Sequence, residues 1–180
     1  MSEDKIVQFV CFETALDSEQ FIIQWERYSR SLNSDLDVTL QQSPKNGMFR
    51  YIAQHRSTSG ELQFNFSRAK RPSRSPEVEI KMIQAGGYLI LQAERKNDTH
   101  AGESKVFAFL VNPLTDLSVY RQLSAHSKLN IYEAYYENCQ YAYILEFFVH
   151  DKYAAILQEQ LKTCNASEAG VYKECVLQPS

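Results

Sequence analysis

Several signatures that would assign a chemistry are missing from this sequence. Its four cysteines, Cys11, Cys139, Cys164 and Cys175, form no CxxC pair. His55, His100, His126 and His150 stand at no metal-ligand spacing from them, which excludes the common zinc and thioredoxin-type patterns. There is no G-x-S-x-G elbow and no cysteine with a histidine beside it, so neither a serine nor a cysteine hydrolase is indicated. No glycine loop suited to phosphate is present; Gly86-Gly87 is a lone pair that reads as a helix end. No apolar run approaches the ~18 residues that span a membrane. Met1-Ser2-Glu3-Asp4 is acidic, without the basic and apolar regions of a secretory leader. With no disulfide framework either, the expectation is a reducing, cytoplasmic setting. A formal net charge of −3 does not suit nucleic acid, so neither nucleic acid nor membrane is expected as a partner.

One segment runs against that balance. Arg68, Lys70, Arg71 and Arg74 put four positive charges into seven residues. Such a stretch is either a solvated loop or a loop that holds an anion or a partner by its concentrated field. It lacks the interleaved aromatics of a nucleic-acid platform.

What is present in abundance is aromatic. The chain holds 11 Tyr and 10 Phe among 180 residues, with 44% apolar and 23% charged residues. Aromatics favour strands and line pockets, so a sheet-rich globular fold is expected. Cys11 and Cys175 fall inside apparent strands, where a free thiol packs as a small hydrophobe.

The second half repeats the layout of the first. The run Lys5 to Phe12 opens one half and Lys105 to Asn112 the other; Gly86 to Gln92 closes the first and Ala169 to Gln178 the second. After the first strand, Asp17 with Gln20 three residues on suggests a capped helix to Leu32, carrying Phe21, Ile22, Trp25 and Tyr28 on one face. Val38 to Gln42 is β-prone, and Pro44 to Gly47 is a turn. Met48 to Arg56 and Leu62 to Arg68 are expected to form a hairpin around Ser57 to Gly60. Ser75-Pro76-Glu77 has the form of a helix start, giving a helix to Ala85 that Gly86 would end. Val78, Ile80 and Met82 also alternate as in a strand. Tyr88 to Glu94 is then a strand, and residues 96–104 a polar linker.

In the second half, Asp116 begins a helix with Leu117, Tyr120 and Leu123. Asn130 to Glu137 and Tyr141 to Val149 form a hairpin. Asp151 caps a helix with Tyr153, Ile156, Leu157 and Leu161 on one face, and Gly170 to Leu177 closes the unit. Each half therefore reads β-α-β-β-α-β, the ferredoxin-like unit. The bare face of such a sheet must be covered. The expected fold is α+β: two tandem ferredoxin-like units, residues 1–95 and 105–180, whose antiparallel sheets pack into one pseudo-two-fold α/β barrel. The chain is then a monomer with an internal pseudo-dimer, or a homodimer of such chains.

In this pattern the chain resembles the dimeric α/β-barrel superfamily, in tandem form, and most nearly its antibiotic biosynthesis monooxygenase-like group. The resemblance rests on the helix Phe21 to Tyr28, the segments Met48 to Ile52 and Leu62 to Phe66, and their counterparts Tyr132 to Tyr136 and Tyr141 to Phe147. It covers most of residues 5–177 and is topological. The superfamily includes cofactor-free oxygenases, haem-binding and haem-degrading enzymes, isomerases, stress-related proteins and ligand sensors, and fold alone does not choose among them. A haem protein of this kind would need an axial ligand, usually His, on a helix facing the pocket. The expected helix Glu77 to Ala85 carries none, and His126 and His150 sit at surface or capping positions, so no cofactor is expected.

Strand alternation assigns faces. Val7, Phe9 and Cys11 share one side of the first strand; Ile6, Gln8, Val10 and Phe12 share the other. In register with the second half, Gln8 matches Ala108 and Phe12 matches Asn112. The side carrying polar groups is the expected barrel interior. The expected ligand-binding set is Gln8, Arg50, Gln54, Gln92 and Asn112. Glu133 and Glu146 are the candidate general bases, since desolvation raises a carboxyl pKa, and Tyr135 is the candidate proton donor. Two functions follow. One is a cofactor-independent monooxygenase or isomerase acting on a small aromatic or polyketide-like substrate. The other is a non-catalytic ligand-binding or structural barrel whose interior is filled by side chains.

Overall fold

Among the described residues the β-branched and aromatic runs form eight strands: β1 (Ile6–Glu13), β2 (Val38–Gln42), β3 (Tyr51–Ser57), β4 (Lys81–Ala93), β5 (Glu103–Leu110), β6 (Ser127–Ala134), β7 (Tyr143–His150) and β8 (Glu168–Glu174). The structure, a computed structural model, describes residues 6–13, 17–23, 38–42, 49–57, 81–95, 99–135, 139–164, 166 and 168–174. Trp25, the basic segment Arg68 to Arg74 and Cys175 lie outside them. The strands close into a barrel in the order β1-β3-β2-β8-β5-β7-β6-β4. Every adjacent pair is antiparallel. Within the first four strands the order is β4-β1-β3-β2, and within the last four β8-β5-β7-β6, the same sequence of places. The fold is thus an α+β, ferredoxin-like barrel.

Helices pack outside the barrel. The first begins as the capping pattern predicts: the Gln20 amide donates to Asp17 Oδ1 at 2.9 Å. Residues 18–23 are helical. Phe21 from this helix stacks on Tyr51 at 4.0 Å and meets Phe12 edge-on at 5.5 Å. In the second half, the helix Asp151–Thr163 buries Ala154, Leu157 and Leu161 against Val106, Ala108, Leu129, Ile131, Leu145 and Phe147. Full burial of one such aliphatic side chain stabilises by about 1.5–3 kcal/mol, which orients the helix on the sheet. Ile156 points outward and is exposed.

The cap of this helix differs from expectation. His150, not Asp151, holds the N-cap place, and its Nδ1 accepts from the Lys152 amide at 3.3 Å. Asp151 is the first helical residue. Its carboxylate instead accepts from Ser104 Oγ at 2.5 Å and pairs with Lys173 at 3.0 Å, tying the helix to β5 and β8.

Two elements of the first half are also corrected. The expected β3 hairpin with Leu62 to Arg68 does not form, because both edges of β3 are taken by β1 and β2. The antiparallel partner of β3 nearest in sequence is β2, and the expected turn Pro44 to Gly47 lies outside the described residues. Residues 62–68 themselves lie outside the described ones. The expected helix to Ala85 is overturned over 81–85, which belong to the long strand β4. The period-two alternation ending at Met82 won over the helix-start signal. Residues 75–80 are not described. Gly86 therefore ends no helix. It sits inside β4, where an added Cβ would lie 2.9 Å from Tyr88 Cε2 and 3.1 Å from Cys139 Sγ.

The interior is aromatic across its full width. β1 and β5 stand opposite each other in the barrel, yet Phe9 and Phe107 meet at 6.4 Å between ring centroids. Phe9 also packs edge-on against Tyr88 at 5.5 Å and Tyr132 at 4.9 Å. Phe49, Phe109 and Tyr141 fill the end near Cys11. This fixes the inner face of β1 as Val7, Phe9 and Cys11. The expectation that Gln8 faces inward is overturned: Gln8 lies on the side of Phe12, which packs on the outer helix. A polar residue does not mark the inside of this strand, because its inner face, Val7, Phe9 and Cys11, is wholly apolar.

Candidate functional site

At the barrel end opposite Cys11, the interior turns polar. Lys105 is the third residue of β5 and shares the inward face of Phe107 and Phe109 by strand alternation. Its side chain is fully buried, as is that of Glu146 on β7. Lys105 Nζ lies 3.0 Å from Glu146 Oε2. That oxygen takes no properly directed hydrogen bond, so the contact is an ion pair rather than a directed bond. Glu146 Oε1 accepts from the Tyr132 hydroxyl at 2.7 Å and from Asn130 Nδ2 at 3.2 Å. Asn130 is held in turn by the chain after β4: its Oδ1 accepts from the Glu94 and Arg95 amides, and its Nδ2 donates to the Arg95 carbonyl at 2.8 Å. Phe148 lies beside the ammonium, 5.1 Å from Nζ to ring centroid, and also carries the Arg95 guanidinium at 4.9 Å.

The network crosses to the first half. Lys105 Nζ donates to Gln54 Oε1 at 3.4 Å, and Gln41 Nε2 donates to the same oxygen at 2.7 Å. Gln41 and Gln54 are both buried. Two atoms of this pair remain without a hydrogen-bond partner, the acceptor Gln41 Oε1 and the donor Gln54 Nε2. An unmet buried polar atom costs about 1–3 kcal/mol, so such a pair calls for a reason.

Of the residues anticipated from sequence, Gln54 and Glu146 meet in this cluster, through Lys105. Gln8 is buried on the outer, helix-side face of β1. Gln92 lies at the rim, where it donates to Glu94 and accepts from Arg121 at 2.9 Å. Arg50 is exposed, 5.7 Å over the Tyr51 ring. Asn112 is exposed in the turn after β5, where its Oδ1 accepts from the Leu114 amide. Glu133 and Tyr135 are exposed on or beside β6, away from the interior. Lys105, Gln41 and Asn130 went unnoticed in the sequence. Lys105 could have been found: it stands two residues before Phe107 and four before Phe109, so a strand that faces those rings inward carries the lysine with them.

The other titratable groups have ordinary structural tasks. Burial pushes the Cys11 thiol far up, keeping it protonated. Burial, then the hydrogen bond to Glu168 at 2.8 Å, pushes the Tyr141 hydroxyl up. Glu103 is held low first by the hydrogen bond from Arg95, at 2.5 Å. His100, His126 and His150 all lie at the surface; His126 stacks on Tyr153 at 5.4 Å. Among the described residues no group of three His, Cys, Asp or Glu is placed to hold a metal ion, and no helix is long and apolar enough to cross a membrane.

No family model matches the chain, and neither does any curated protein. Solved structures do. The chain is similar to a chlorite dismutase from Candidatus Nitrospira defluvii in complex with imidazole, with a TM-score of 0.56, 8% identity and coverage of 96% of this chain and 92% of that one. A mutant of that enzyme in complex with cyanide gives a TM-score of 0.57 at 8% identity, covering 98% and 92%. Another mutant gives 0.60 at 8% identity, covering 98% and 93%. At this identity the similarity is one of fold: the barrel is laid out as in chlorite dismutase-like proteins.

Proposed function

We propose that the chain is a single-polypeptide member of the dimeric α/β-barrel superfamily, and that its barrel binds a small molecule without transforming it. Its two tandem units are residues 1–95 and 105–180, joined by 96–104. The repeated strand order of the two halves supports the tandem arrangement. The observation that carries binding is the pair of unpartnered, buried amide atoms on Gln41 and Gln54 beside the Lys105 ammonium. Buried polar atoms of this kind are normally satisfied by protein, water or ligand.

Binding is favoured over oxygenase or isomerase chemistry by what surrounds Glu146. Its carboxylate already accepts from Tyr132 and Asn130 and is paired with Lys105. To take a substrate proton on Oε1 it would have to give up those two hydrogen bonds, and on Oε2 the 3.0 Å contact with the Lys105 ammonium. Glu133 and Tyr135, the other candidates, face away from the interior. Native mass spectrometry of the protein purified from its own host, compared with a denatured sample, tests the proposal. A bound small molecule that leaves on denaturation is expected. A clean apo mass would overturn binding in favour of a barrel that is filled for structural reasons alone.

A further inference from the structure

We infer that the group recognised by this site is neutral and amide-like, offering one acceptor and one donor side by side, and is not an anion. The inference rests on the binding proposed above and specifies its ligand. A buried lysine by itself would suggest an anion. Here the charge is already matched, because Glu146 Oε2 lies 3.0 Å from Lys105 Nζ and both side chains are fully buried. A second anion would bring two negative charges onto one ammonium away from water, where their repulsion is strong.

Apart from Glu146 Oε2, which is paired with the Lys105 ammonium, what the cluster leaves unmet is neutral. Gln54 Nε2 can donate, and Gln41 Oε1 can accept; neither has a partner. The two side chains are already joined by the 2.7 Å bond from Gln41 Nε2 to Gln54 Oε1. A doubly bonded amide pair would satisfy all four atoms, but here only one of the two bonds forms. The missing half is complementary to a third amide edge: its carbonyl accepts from Gln54 and its N–H donates to Gln41. A primary amide or a lactam has these two groups on neighbouring atoms. A carboxylate supplies acceptors only and would leave Gln41 Oε1 unmet.

Acetamide and acetate, two probes of equal size, separate these possibilities on the full chain. Each is titrated into isotope-labelled protein, and the side-chain amide resonances of Gln41 and Gln54 are followed by NMR. Acetamide is expected to shift both sets of resonances and to bind at least about ten-fold more tightly than acetate, the factor that one recovered hydrogen bond gives. Gln41→Met and Gln54→Met, checked for folding by thermal melting, are each expected to weaken acetamide about ten-fold or more. If both variants fail to fold, the wild-type preference alone decides. Acetate binding as tightly as acetamide would overturn the inference and leave the binding site standing. If neither probe shifts the cluster, the inference falls. The binding proposal falls with it only if the host-purified protein also carries no retained molecule.

Discussion

Replacing Lys105 by Met tests whether the polar end of the barrel is held by a true buried ion pair. The two charged atoms are 3.0 Å apart and neither side chain reaches solvent. Lys105→Met leaves Glu146 charged, buried and without its counter-ion. Removing one partner of a buried pair typically costs about 3–5 kcal/mol. The Tyr132 and Asn130 hydrogen bonds to Glu146 Oε1 remain, so the lower end of that range, about 3 kcal/mol, is expected. For a chain of this size that is a fall in melting temperature of roughly 6–12 °C. Glu146→Gln strands the ammonium and should cost a similar amount. The double variant Lys105→Met/Glu146→Gln removes both charges yet keeps an acceptor for Tyr132 and Asn130. It should recover at least half of either single loss, because pair desolvation is then no longer incurred. Urea unfolding followed by circular dichroism gives all four corners of the cycle. Losses that simply add, giving a double variant about 6 kcal/mol less stable, would refute the pair as the organising contact. A single variant within about 0.5 kcal/mol of wild type would place Lys105 in solvent.

Three further outcomes follow from other parts of the molecule. Gly86→Ala forces a Cβ to 2.9 Å from Tyr88 Cε2 and should cost about 1–3 kcal/mol by overpacking; an unchanged denaturation midpoint would show that Tyr88 yields freely. Alkylation of the native protein should modify the half-buried Cys139 and Cys164 and spare Cys11, whose thiol is both enclosed and held protonated. Peptide mapping that finds Cys11 labelled as fast as Cys164 would contradict the closed interior. Glu103 and Asp151 are held below the usual carboxylate range, the first chiefly by Arg95 and the second chiefly by the Ser104 hydroxyl and then Lys173. The stability they add is therefore complete above the unfolded value, about pH 4, and is lost as pH falls through the lowered folded values. The gap in stability between wild type and Arg95→Met should narrow on acidification through that window, and a gap that widens would reverse the assignment.

Much of the barrel could be read from the chain because alternation and caps act locally. β1, β5, β6 and β7 are dense in Phe, Tyr, Ile and Val, and each lies close to its expected place. Asp17 and Gln20 cap the first helix as their spacing implies. The errors arise where two local signals compete or where a distant partner decides. At 75–85 a proline-led helix start competed with alternation, and over 81–85 the pairing of β4 with β1 settled it. β3 pairs with β2 rather than with the expected run 62–68, since nothing in 48–56 says which neighbouring run will pair with it. The site was harder. Glu146 was visible as the one charge in an apolar strand, but its counter-ion lies on another strand and its hydrogen-bond donors, Tyr132 and Asn130, on a third. Gln8 showed the opposite failure: a polar residue in a strand does not reveal which face is the inside.

The way the barrel closes also sets the order of its birth. Each half contains neighbours that can pair soon after synthesis, such as β2 with β3 and β6 with β7. The seam of β2 with β8 is different: it aligns Gln41 with Glu174 and Gln42 with Lys173, far apart along the chain. Contacts of such separation form slowly, since the loop entropy is lost before the pairing is gained. On the ribosome, β2 must therefore wait with one side unpaired until β8 emerges. During that interval the exposed strand is a template for the wrong chain. The hazard for this protein thus lies in its nascent state, before the last strand has shut the ring.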